Sequence, residues 1–149
     1  MAKILIDADG CPVVDMTIAL AKRFGWPVLL ICDTSHEMHR DGAETLTVSK
    51  GADAVDFVLV NRVQPGDIVV TQDYGLAAMV LAKRGAPIDQ NGRVYDEGNI
   101  EQLLHGRHVA QKIRQGGGRM KGPKKRQQAD NDKFRDSLIS LLETRKDSL

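Results

Sequence analysis

Residues 4–12 read ILIDADGCP, an apolar run that ends in two aspartates one residue apart and is followed by Gly, Cys and Pro. The run predicts a short buried strand over residues 3–7. Pro12 suits the first turn of a helix, where its missing N–H leaves no bond unmade. Val13, Met16, Ile18, Leu20 and Ala21 fill that helix, and Phe24-Gly25 ends it. The same alternation continues along the chain. Strands are predicted at 27–32 (PVLLIC), 44–48 (ETLTV) and 68–71 (IVVT), with a short fifth one in APID. Helices are predicted at 52–63, 73–84 and 99–114, the first largely buried and the second closed by Gly85.

Strands alternating with helices imply a parallel sheet covered on both faces. Right-handed crossovers carry the second and third strands outward on one side of the first, and the fourth returns to its other side. The expected fold is therefore a three-layer α/β/α sandwich with a central, mostly parallel sheet in the order 3-2-1-4-5. Ligands of such sheets bind at the switch point, here the crevice between strands one and four.

That crevice collects carboxylates. Asp7 and Asp9 close the first strand, Thr71 and Asp73 in VVTQDYG close the fourth, and Asp53 and Asp56 in KGADAVD share one helical face. Helix capping accounts for Asp73, Asp53 or Asp9 taken singly. It does not account for Asp7 at the end of an apolar strand or Asp56 inside an apolar helix. Converging carboxylates raise one another's pKa unless a cation neutralises them. A cluster of hard oxygen donors suits Mg²⁺ or Mn²⁺, and no Cys/His set with zinc spacing accompanies it. Such ions activate water and stabilise the leaving oxygen in phosphodiester cleavage.

Four stretches, ILIDADGCPV, SKGADAVDFVLV, GDIVVTQDYGLA and GGGRMKGPKKR, resemble the YaiI/YqxD family of small bacterial proteins, over nearly the whole chain. That family resembles in turn the PIN and NYN nuclease domains. The resemblance implies a PIN-like fold and an RNA-cleaving, metal-dependent hydrolase. It assigns Asp7 as the first-strand acid, Asp53 to the KGxD pattern and Asp73 to the Thr/Ser-x-Asp pattern. These three are the implied catalytic residues and metal ligands. Asp9 and Asp56 are supporting acids of the same metal site, and Thr71 orients Asp73.

Composition sets the surroundings. The chain has 149 residues, 42% hydrophobic and 28% charged, which is enough for one domain with its own core. Aromatics make up only 4%, which argues against a base-stacking sheet. No apolar run approaches membrane-spanning length and no signal-peptide pattern is seen, so a cytoplasmic protein with no membrane partner is expected. Cys11 and Cys32 are read as reduced thiols, Cys11 packing beside the acids. Residues 102–129 carry eight Lys/Arg and no acid, which leaves 13 basic against 20 acidic residues elsewhere. An acidic body with a basic segment suggests a polyanionic partner. Arg114, Arg119, Lys121, Lys124, Lys125 and Arg126 are the expected RNA contacts.

The chain thus divides into a PIN-like domain over 1–113, a flexible Gly-rich basic loop over 114–129, and an amphipathic helix over 130–149 belonging to the same domain. In that helix Phe134, Leu138, Leu141 and Leu142 recur at helical spacing, so it either docks on the body or pairs with a second copy. Two other functions fit parts of the pattern. DADGC resembles the DxDG[TV] motif of haloacid-dehalogenase-type phosphatases, with Asp7 as nucleophile, Asp9 as acid/base, and Thr34 or Ser35 and Lys50 as the remaining parts. Against it, Cys11 replaces Thr, and Pro12 leaves little room for a flap. Alternatively the protein binds RNA through the basic loop without catalysis. His36 and His39 read as solvent-facing.

Overall fold

The computed structural model describes residues 2–51, 54–117 and 125–146. Its strands are β1 (Ile4–Asp7), β2 (Val28–Asp33), β3 (Glu44–Val48), β4 (Ile68–Val70) and β5 (Ala86–Ile88). Its helices are α1 (Val14–Phe24), α2 (Ala54–Arg62), α3 (Tyr74–Ala82), α4 (Glu97–Gln115) and α5 (Gln128–Lys146). The five strands form one sheet in the order β3-β2-β1-β4-β5. Every neighbouring pair is parallel, so the sheet is wholly rather than mostly parallel.

Alternation along the strands builds two cores. Ile4, Ile6, Leu30, Cys32, Ile68, Val70 and Ile88 face one side and pack with α1 and α5. Leu5, Ile31 and Val69 face the other and pack with Leu59 and Val63 near α2 and with Leu76 and Val80 of α3. A third cluster joins α3 to α4 through Ala77, Tyr95 and Ile100. These layers are the expected α/β/α sandwich.

The last helix docks on its own body. Phe134, Leu138 and Leu142 are fully buried in the core shared with α1, so its apolar stripe is occupied within the chain. The turn after β5 is clamped beneath it. Ser137 Oγ donates to Gly92 O at 2.7 Å. A Cβ on Gly92 would stand 2.5 Å from Lys133 O, and the residue's φ of 87° is left-handed, so this position needs glycine. Arg126 adds hydrogen bonds to Asn91 Oδ1, Asn131 Oδ1 and the Gln90 carbonyl, each 2.8 Å.

Three expectations change. Among its described residues α2 buries only Leu59 fully, and Phe57 is 68% exposed, because this helix covers the sheet with one face and turns the other to solvent. Gly85 does not cap α3: Lys83 is the C-cap, and Arg84 takes the left-handed turn with φ 64°. Gly85 is needed for space instead, since a Cβ there would lie 2.7 Å from Val80 Cγ1. The loop expected over 114–129 is shortened at both ends, because α4 runs to Gln115 and α5 begins at Gln128.

Candidate active site

The register of β1 with β4 pairs Ile6 with Val70, which puts Asp7 and Thr71 side by side where the two strands end. Thr71 is buried, and its hydroxyl is used twice. It donates to Asp7 Oδ2 at 3.0 Å and accepts the backbone N–H of Asp73 at 3.0 Å. Thr71 therefore holds the carboxylate of Asp7 as well as Asp73, the residue it was expected to orient. It reaches Asp73 only through the backbone. The buried Tyr95 steadies this junction by donating to the Thr71 carbonyl at 3.3 Å.

Asp73 is the N-cap of α3, accepting from Leu76 N at 3.1 Å. The same oxygen, Oδ1, lies 3.5 Å from Arg107 Nη1. Gly75 keeps this corner open, since a Cβ there would approach Asp73 Oδ1 to 3.2 Å. Asp56 stands in the first turn of α2. Asp9, on the loop after β1, has a side chain 57% exposed and lies 3.6 Å from His36 Nδ1. His36 is in turn 3.2 Å from Asp33 Oδ1, at the end of β2. The imidazole is exposed, as expected, yet it meets two carboxylates.

Asp7 registers the whole group. Burial pushes its carboxyl up to about 6; the Thr71 hydrogen bond opposes the rise, and Asp56, Asp73 and Asp9 add to it in that order. Three of the other four expected acids thus act on Asp7, and Asp53 lies outside the described residues. Cys11 lies beside them, half-buried, its thiol pushed up chiefly by burial, which suits a packing role.

Asp7, Asp9, Thr71, Gln72, Asp73 and Gln90 line a cleft of about 360 Å³. Within its wall Gln90 Oε1 is buried and accepts no hydrogen bond from the described residues. The donor set is carboxylate and amide oxygen, which suits Mg²⁺ or Mn²⁺, and the raised Asp7 carboxyl and the orphaned Gln90 oxygen are both groups a hydrated cation satisfies. No group of three or more His, Cys, Asp or Glu among the described residues is arranged to hold a metal ion. Mg²⁺ commonly keeps several waters and needs only one or two carboxylates, so the residues fit such an ion.

Sequence reasoning missed Gln90, Arg107 and Asp33 as neighbours of the site. Gln90 and Asp33 carry the same signal as Asp7, a polar residue at or just past a C-terminal strand end; Arg107 reads in the sequence only as part of the basic segment. Of the expected RNA contacts, Arg114 falls within α4, Lys125 is exposed, and Arg126 is half-buried and engaged with residues 90, 91 and 131. Arg119, Lys121 and Lys124 lie outside the described residues. A larger groove of about 760 Å³, between the turn after β5 and α5, is lined by Asp89, Arg93, Asp130, Lys133 and Asp136, charges of both signs. Among the described residues no helix is long and apolar enough to cross a membrane.

Comparison with known proteins places the chain. It is 59% identical over 145 residues to a UPF0178 protein of Exiguobacterium sibiricum, covering 97% of this chain and 99% of that one. It is 47% identical over 140 residues to a UPF0178 protein of Ruminiclostridium cellulolyticum, covering 94% and 92%. A crystal structure of Rae1 (YacP) from Bacillus subtilis, a W164L mutant, aligns over 97% of this chain and 99% of its own at 13% identity and a TM-score of 0.43. The family model described as "Uncharacterized BCR, YaiI/YqxD family" matches residues 5–144, and with relatives this similar along its whole length the chain belongs to that family, DUF188.

Proposed function

We propose that this protein is a Mg²⁺- or Mn²⁺-dependent hydrolase of phosphodiester bonds in RNA. The observation that carries the reading is the buried Asp7 carboxyl at the switch point of a parallel sheet: burial raises its pKa, and aspartates from three different segments add to the rise. Fixed repulsion of this kind is costly without a cation, and it recurs at functional sites. Asp7 and Asp73, with Asp53, would hold the ion, and Asp9 and Asp56 would assist. A bound divalent ion supplies an activated water and stabilises the leaving oxygen. Thr71 keeps the Asp7 carboxylate oriented toward the cleft. Arg107, beside Asp73, is placed to meet a phosphate oxygen, and the basic segment gives an RNA strand a counter-charge to the acidic body.

The phosphatase alternative gains no such support, because the cleft that holds Asp7 and Asp9 is not lined by Thr34, Ser35 or Lys50. The deciding experiment is Mn²⁺ calorimetry on the wild type and Asp73→Asn, with a single-stranded RNA pool incubated alongside. Metal binding and RNA cleavage, both lost in the variant, are expected. Metal binding without cleavage would redirect the search to small phosphomonoesters. RNA binding without any metal binding would leave a non-catalytic RNA-binding protein.

A further inference from the structure

The chain has six aromatic side chains. Trp26, Tyr95 and Phe134 are buried, and Phe24 and Tyr74 are half-buried. Phe57 alone turns its ring to solvent, at 68% exposure, the most exposed large apolar side chain among the described residues. An isolated exposed Phe is ordinary; its surroundings here are not. Phe57 lines a cleft of about 330 Å³ with Met79, itself 42% exposed, and with Asp56, Asp73, Gly75 and Arg107.

Asp73 belongs to this cleft and to the acidic cleft around Asp7. The two clefts therefore flank one carboxylate, an arrangement suited to a polymer that passes it with a residue on either side. On the Phe57 side the lining offers what one nucleotide needs. A ring and a thioether give an apolar platform, and a guanidinium 3.5 Å from Asp73 gives a partner for phosphate. The scarcity of aromatics argues against a stacking sheet but leaves room for this single platform.

We infer that the Phe57–Met79–Arg107 cleft is a nucleobase subsite, in which the base next to the scissile phosphate stacks on Phe57 while Arg107 leaves Asp73 for the phosphate. The inference rests on the RNA reading of the acidic site. It makes Phe57 a determinant of affinity for single-stranded RNA and requires no particular base, since every base offers a π-face.

The test uses the full chain with Mn²⁺ and a phosphorothioate-linked single-stranded oligoribonucleotide carrying 2-aminopurine. Binding to the wild type should quench the probe. Phe57→Ala should abolish the quench and weaken binding roughly tenfold, as loss of one stacked base does. Phe57→Trp should restore both. The substituted ring is exposed, so the melting temperature of Phe57→Ala should stay at the wild-type value, which separates lost stacking from lost fold. Sedimentation of the wild type and Phe57→Ala is run in parallel. Equal binding and quenching by Phe57→Ala would overturn the subsite, as would failure of the wild type to bind the probe. Self-association abolished by Phe57→Ala would overturn it too, making this face a contact between copies. If the probe binds and is quenched but no RNA is ever cut, the subsite stands and the proposed hydrolysis fails.

Discussion

Asp7 is where the fold and the candidate chemistry meet. Its carboxyl, pushed up to about 6 by burial and by its neighbours, prefers a proton in the folded state compared with an unfolded value near 3.9. The native chain then holds more protons than the unfolded one between those two pH values, so stability falls as pH rises from about 4 to about 6 and is level above. Asp7→Asn removes the penalty. In chelator, the variant should exceed the wild type by on the order of 2 kcal/mol at pH 7.5 in urea denaturation, and the gap should shrink at pH 4.5. A gap unchanged between the two pH values would mean that Asp7 carries no such strain. Asp73 behaves differently because it also caps α3. Asn caps as well as Asp, so Asp73→Asn should fold with near wild-type stability, whereas Asp73→Ala should lose about 1 kcal/mol. Asp7 was legible in the sequence because a charged group that ends an apolar strand is costly to bury unless something at the sheet edge uses it, whereas Asp73, which capping alone would explain, stood out only through the Thr/Ser-x-Asp resemblance. The partner of the Thr71 hydroxyl was not legible, since two acids within its reach can be told apart only by side-chain geometry.

At the scale of elements, α5 does the most that a linear reading leaves open. Its spacing of Phe134, Leu138 and Leu142 announces an amphipathic helix but not the surface it covers. In the fold it covers the sheet beside α1 and holds the turn after β5, from which Gln90 reaches the acidic cleft. Leu138→Ala should cost about 3 kcal/mol in chemical denaturation, as a fully buried leucine truncated to a cavity does. Gly92→Ala tests the clamp itself: the added methyl would collide with the backbone of Lys133 at a left-handed φ. A loss of more than about 1 kcal/mol is expected, and a neutral result would show that the turn can move away from α5. The exposed face of α2 escapes a linear reading for a related reason. Its sequence is apolar nearly all round, and an apolar side chain such as Phe57 can face solvent without changing that pattern.

Across the whole molecule, stability and the proposed chemistry sit at opposite edges of the sheet. Asp67, fully buried where β4 begins, accepts from Lys3 Nζ at 2.7 Å, from Lys3 N at 3.0 Å and from Gln64 N at 2.8 Å. Removing it strands an ammonium partner and two backbone donors, so Asp67→Ala should lose about 3 kcal/mol. It should leave the Mn²⁺ affinity of the folded protein unchanged, and calorimetry at low temperature would reveal any coupling between the edges. The basic segment sets the other global property. If it contacts RNA phosphates, the binding constant should fall steeply with salt, and Lys125→Ala should reduce the log–log slope by about 0.7. A slope indifferent to Lys125 would remove that residue from the interface.

The linear chain was enough to place the strands and helices to within a few residues, their order in the sheet, and the sheet edge at which Asp7, Thr71 and Asp73 meet. It could do so because side-chain periodicity and crossover handedness are local rules, and together they leave few ways to wind a parallel sheet. Only the folded chain shows that Thr71 bonds Asp7, that Arg107 reaches Asp73 across 34 residues of sequence, that Gln90 brings into the cleft an oxygen with no partner among the described residues, and that Arg126 is engaged with the turn after β5. Each of these depends on distances between side chains carried by different elements, and no local pattern encodes them.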